Sequence, residues 1–164
     1  MFREMRRKKQ VLTKEEAAAV LRRGTSGVLA VCGDDGYPYA VPLSYVYADD
    51  KIFFHCAKTG HKLDGIARNE KVSFCVIDRD EVVPERYTTH YRSVIAFGKA
   101  RVLEDETEKR AALEKLAERY SPGQTEGRAQ EIKEQIDRLC MVEISVEHMT
   151  GKQAKELVKQ NEMM

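Results

Sequence analysis

The residues with the clearest chemical potential lie in Phe53–Ile66, read as FFHCAKTGHKLDGI. His61 and Lys62 follow Gly60 just as Leu63, Ile66 and Ala67 take up the i, i+3, i+4 spacing of a buried helical stripe. The first turn of a helix carries unpaired N–H groups and partial positive charge, so it favours anions. A lysine there opposes the helix dipole unless something negative is nearby, and a phosphate would supply that charge. The other reading makes Lys58 and Lys62 solvated surface lysines. His55 stands on the strand before the turn, on the face opposite Ile52, Phe54 and Cys56. Its neighbours on that face, Phe53 and Ala57, are apolar, which predicts a histidine half buried in a pocket wall. It is there either to donate a proton or hydrogen bond, or as a satisfied structural residue.

Other chemistries lack their residues. The chain has no G-x-S-x-G, no P-loop and no H-E-x-x-H. His55 and Cys56 are adjacent on a strand, point to opposite faces and cannot share a metal, so no metal site is expected. Gly33–Gly36 lacks the strand–G-x-G-x-x-G–helix context of a dinucleotide site. Cys32, Cys56, Cys75 and Cys140 are widely spaced in apolar runs, which suits buried reduced thiols. His61 and His90 read as surface residues, and His148 sits near a strand end.

The elements that must position these residues can be read in order. Residues 1–12 are basic and aperiodic, expected as a loose tail. Thr13 and Glu16 form a capping box for a helix to Arg23, with Ala17, Val20 and Leu21 buried and Gly24 as its end. Strands are expected at Gly27–Cys32, Pro38–Tyr47, Lys51–Ala57, Val72–Ile77, Tyr91–Leu103 and Met141–Glu147. The first two join through the Gly33–Gly36 turn, and Gly98 marks a bulge in the fifth. Pro42 lacks an N–H, so its strand should be an edge, or bulged, or offer its backbone to something other than a strand. Asp78–His90 reads as a polar loop. Helices are expected at Glu106–Tyr120 and Glu126–Arg138, and after a turn at Thr150–Lys152.

Six strands with short turns and peripheral helices argue for a mainly β fold, a small six-stranded antiparallel barrel with flanking helices. At 164 residues the chain suits one domain, 1–164, without a linker or repeat. A net charge of +1 gives no reason to expect nucleic acid or an anionic membrane. No apolar run approaches the ~20 residues of a membrane span. The basic N-terminus is followed by no apolar segment, so a cytoplasmic location is expected.

Four motifs in register resemble the pyridoxamine 5'-phosphate oxidase-like split barrels, specifically the nitroimidazole-resistance branch. They are Arg6-Arg7-Lys8-Lys9-Gln10, Asp35 to Pro42, His55 to Lys62 and Ser93 to Ala100, within about 1–147. The resemblance implies an FMN-binding split barrel with the FMN phosphate at His61 and Lys62. Tyr39, Val41, Pro42, Leu43 and Ser44 would lie along the flavin, and His55, Cys56 and Ala57 would border it. Ser93 would reach the flavin across a homodimer interface, giving two FMN per dimer. The implied activity is flavin-dependent reduction of a small electrophile such as a nitroimidazole, with His55 as the substrate-facing donor.

The sequence also departs from that family. The vitamin B6 oxidases carry an arginine and a lysine at the ends of the flavin strand, where this chain has Tyr39 and Ser44. Their turn carries Arg-Lys where this chain has His61-Lys62. Their arginine and histidine for the substrate phosphate have no match near Glu147–Lys152. FMN binding therefore carries over better than B6-phosphate oxidation. Two alternatives stand beside a reductase: a flavin carrier or sensor without turnover, and a haem-binding split barrel with His55, His61 or His90 as ligand.

Overall fold

The computed structural model describes residues 1–162, with side chains through Val158. Helix α1 (Lys14–Arg23) starts on the expected box. The Glu16 N–H donates to the Thr13 hydroxyl at 3.2 Å, and the Thr13 N–H donates to the Glu16 carboxylate at 2.7 Å. The helix ends at Gly24, where a Cβ would stand 2.4 Å from the Tyr45 hydroxyl. Only glycine permits that approach.

One antiparallel sheet follows. Its strands are β1 (Ser26–Cys32), β2 (Pro38–Ser44), β3 (Val46–Ala48), β4 (Lys51–Cys56), β5 (Lys71–Val83), β6 (Thr88–Val102) and β7 (Cys140–Gln153). The order β2-β1-β5-β6-β7-β4-β3 places β2 and β3 at opposite edges. Yet Tyr45 alone separates those two strands in the chain. The sheet therefore curls until its edges approach at Tyr45, and it stays open because β2 and β3 are not paired. The sheet has seven strands, not six, since the expected Pro38–Tyr47 strand breaks at this residue. Tyr45 turns inward to full burial, its hydroxyl donating to the Leu21 carbonyl at 2.8 Å and its ring edge-on to Phe74 at 5.0 Å. Burial of the whole side chain raises the Tyr45 phenol well above its ordinary pKa.

The remaining helices are α2 (His61–Arg68), α3 (Glu106–Tyr120), α4 (Arg128–Gln135) and α5 (Lys155–Glu162). They create two cores. The first fills the curled sheet, with Leu29, Ile52, Phe54, Phe74, Val94 and Ile144 at its centre. The second lies outside the sheet, where Phe53 and Met141 meet Leu113, Leu116, Ile132 and Ile136 of the α3–α4 cap. Strand β4 is therefore buried on both faces, with Ile52 and Phe54 inward and Phe53 under the cap. Burying one such side chain contributes about 1.5–3 kcal/mol. Beside this cap Glu143 of β7 is buried, and it accepts from Lys51 and Arg101, each at 2.9 Å. Burial works to raise its carboxyl, but the hydrogen bonds from Arg101 and Lys51 outweigh it and hold the group below the usual carboxylate range.

Several boundaries differ from the sequence reading. Asp78–His90 is mostly strand: β5 and β6 pair from Arg79↔Arg92 to Val83↔Thr88 beyond a register shift, and Pro84–Arg86 form the turn. This arm exposes Ile77, Val82 and Tyr87. It shows no core periodicity because its ladder needs only backbone partners. The turn expected at Thr150–Lys152 lies within β7, which pairs with β6 as far as Gln153. The second cap helix is shorter than expected, Arg128–Gln135. The N-terminal segment packs down: Leu12 is buried, Val11 bridges to Lys152, and the Phe2 ring stacks on His148 at 4.5 Å. All four cysteines are free thiols, but Cys32 is exposed and only Cys140 is fully buried. Cys32 ends a strand, where one face meets solvent.

Candidate functional site

Gly60 delivers the start of α2. Its φ of 143° lies in the range that glycine tolerates, and nothing lies within 4 Å of where a Cβ would be. No side chain caps the helix; Leu63 and Asp64 both donate back to the Gly60 carbonyl, at 2.9 and 3.1 Å. The N–H groups of the first helical positions thus remain available to an anion. His61 is held in place, its ring stacked on Tyr39 at 4.0 Å and its Nε2 3.5 Å from the Asp34 carboxylate. Asp34 accepts from Arg68 at 2.8 Å; that bond, then the His61 charge, keeps its carboxyl below the usual range. Lys62 is half buried and has no ion-pair partner among the described residues. It lies near enough to Cys56 for its charge to act on the thiol. Burial nonetheless raises that thiol to about 11, with Cys140 across the strand adding in the same direction.

Strand β2 is a free edge, as Pro42 requires. The Gly33 N–H donates to the Tyr37 carbonyl at 2.9 Å, and in an antiparallel ladder such paired positions recur every second residue. The β1–β2 register then assigns the backbone groups of Tyr39, Val41 and Leu43 to β1. Those of Ala40, Pro42 and Ser44 point to the open side. Pro42 therefore forfeits no ladder bond. Within Val41–Ser44, therefore, only alternate residues turn backbone groups to the open side. Their side chains alternate too: Ala40, Pro42 and Ser44 are exposed, while Tyr39, Val41 and Leu43 are half buried against the first core.

His55 is exposed rather than half buried. It follows Phe53 on the outer face of β4, one step past the edge of the cap. There it lines a cavity of about 440 Å³ with Ser44 of β2 and with Leu113, Leu116, Ala117, Ile132 and Leu139 of the cap region. The polar members of the wall are His55, Ser44, Tyr120, Glu131 and Gln135. The cavity was not foreseen, although the α3 stripe of Leu113, Leu116, Ala117 and Tyr120 is visible as a pattern. That stripe does not say which strand it will cover.

The remaining site residues spread out. Ala57 is exposed just beyond β4. Ser93 is half buried on β6, opposite Ile77 and Lys152, and β7 separates its strand from β4. No hydrogen bond or ion pair among the described residues ties it to the Tyr39–Lys62 group. His90 is buried rather than on the surface, and its Nε2 has no partner among the described residues. Among the described residues no three His, Cys, Asp or Glu side chains gather as a metal site. No described helix is long and apolar enough to cross a membrane.

The family model for pyridoxamine 5'-phosphate oxidase matches residues 13–153. Comparison with curated proteins gave no match. Among solved structures, a Bacteroides thetaiotaomicron protein described as a candidate 5-nitroimidazole antibiotic resistance protein is 23% identical, with a TM-score of 0.74 over 87% of this chain and 85% of that one. A conserved hypothetical protein of Mycobacterium tuberculosis is 21% identical, with a TM-score of 0.80 over 94% and 92%. These two show the shared fold. A FAD-binding protein of Mesorhizobium loti is 26% identical, with a TM-score of 0.62 over 89% of this chain and 98% of that one.

Proposed function

Because the chain belongs to the pyridoxamine 5'-phosphate oxidase family, we propose that it binds FMN and serves as a flavin-dependent reductase of small electrophiles. The observation that carries this reading is the uncapped start of α2, with Lys62 beside it unpaired among the described residues and the free edge of β2 nearby. A bound flavin supplies hydride or electron transfer; the protein supplies orientation and charge. The α2 N–H groups and Lys62 hold the phosphate, with His61 kept in position by Tyr39 and Asp34. The open-side N–H groups of Ala40 and Ser44 orient the ring, and Pro42, Cys56 and Ala57 border it. His55 donates the proton that the reduced acceptor takes up.

The likeness to a protein described in terms of 5-nitroimidazole resistance supports nitro compounds as one acceptor class. FMN is preferred to FAD because the uncapped start of α2 with Lys62 offers a place for one phosphate, although several similar solved structures are of FAD-binding proteins. Ser93 lies on β6, with β7 between its strand and β4, and its expected flavin contact is read as one made across a homodimer interface to the partner's flavin. The test is the spectrum and mass of the chromophore released by heat. FMN with a band near ~450 nm is expected. FAD as the main species overturns the cofactor assignment, and a band near ~400 nm would indicate haem.

A further inference from the structure

The α3–α4 cap does more than cover β4. Its apolar residues leave a chamber of about 440 Å³, within the range of sites that take drug-sized ligands. Among the described residues no lysine or arginine lines it, and the carboxylate of Glu131 does. A phosphate or carboxylate ligand would meet no counter-ion there and one like charge. Hydrogen-bond donors are nevertheless present. His55 is exposed to the cavity and has no hydrogen-bond partner among the described residues. The Gln135 amide gives one N–H to Glu131 at 3.2 Å and keeps a second free. The Tyr120 phenol has one proton, already directed at backbone carbonyls of Thr25 and Tyr45.

We infer that this chamber is the position of the acceptor substrate, and that it selects neutral two-ring aromatic compounds carrying hydrogen-bond acceptors at two edges. One acceptor takes its bond from His55 and the other from Gln135, while Leu113, Leu116 and Ile132 enclose the rings. Ser44 joins this chamber to the open edge of β2, so a molecule here sits beside the region assigned to the flavin. As a substrate position it rests on the flavin reading; as a binding site it does not. Charged B6 phosphates are excluded by the same wall.

The probe is 2,3-dimethyl-1,4-naphthoquinone, whose blocked ring positions cannot alkylate the free cysteines. Its control is 2-hydroxy-3-methyl-1,4-naphthoquinone, nearly the same shape but an anion at neutral pH. Isothermal titration is run on the full chain with and without saturating FMN, and FMN uptake is read from the spectrum of the same samples. The neutral quinone should bind in both, and the anion at least tenfold more weakly. Ala117→Phe, which fills the chamber from its half-exposed wall, should weaken the quinone at least tenfold and leave FMN uptake unchanged. Gln135→Leu should weaken it about fivefold and serves if Ala117→Phe does not fold. Equal binding of the anion, unchanged binding in Gln135→Leu, or displacement of the quinone by FMN would each overturn the inference. Failure of FMN uptake with the quinone still bound would instead count against the flavin reading.

Discussion

The Tyr120 hydroxyl lies 2.9 Å from the backbone nitrogen of Tyr45 and 2.8 Å from its carbonyl oxygen, so the last residue of α3 clasps the one residue joining the two edges of the sheet. The same hydroxyl reaches the Thr25 carbonyl at the entrance to β1. One phenol thus ties the helical cap to the break between β2 and β3. Tyr120→Phe removes the clasp and leaves the buried Tyr45 N–H with only a 3.3 Å approach to the Thr25 carbonyl. A loss of about 1–2 kcal/mol is expected, read from urea unfolding at constant m-value.

Lys62→Ala should keep the fold and weaken FMN. One charge-assisted contact to phosphate contributes ~1.5–3 kcal/mol, a ten- to hundredfold change in Kd. Fluorescence titration of FMN measures it. An unchanged Kd would return Lys62 to the class of solvated surface lysines.

His55→Ala should retain bound FMN and its spectrum, while reoxidation of pre-reduced protein by a nitro or quinone acceptor slows by ~10²-fold or more, the usual scale for a general acid. His55→Gln, which still donates, should lose less. Single-turnover kinetics separates the two. Equal rates in all three proteins would leave the activity to the flavin alone.

Glu143 makes an acid-labile contribution. Its carboxyl is held below the ordinary range in the folded chain, so its stabilisation is present above the unfolded pKa of about 4.3 and fades as pH falls through the folded value. Glu143→Gln should cost about 2 kcal/mol near pH 7, less than a fully buried pair because Lys51 and Arg101 stay partly hydrated. The gap to wild type should narrow once the pH falls below about 4.3 and close below the folded value. A gap that stays constant from pH 7 to 3 would show that the ion pairs are not its source.

A homodimer should sediment well above the 18.7 kDa of one chain at micromolar concentration. Ser93→Trp tests the cross-subunit role. It should weaken FMN without disturbing the phosphate end, read as lost FMN affinity with retained binding of inorganic phosphate at high concentration. A monomeric holoprotein would contradict it.

Local chemistry was legible from the chain itself. The Thr13–Glu16 cap, the edge character imposed by Pro42, the Gly98 irregularity and the helix start after Gly60 each depend on residues within one turn or strand. Tertiary structure decided the rest. The break at Tyr45 is held by an α3 residue 75 positions away and by the Tyr45 hydroxyl donating to the Leu21 carbonyl of α1. The β5–β6 arm leaves no apolar period because its backbone ladder asks for no particular side chains. His55 is flanked by apolar residues in sequence, yet it is exposed because the cap that buries Phe53 stops one pair short of it. Periodicity states which face of an element is apolar, but only packing states what covers that face and where the covering ends.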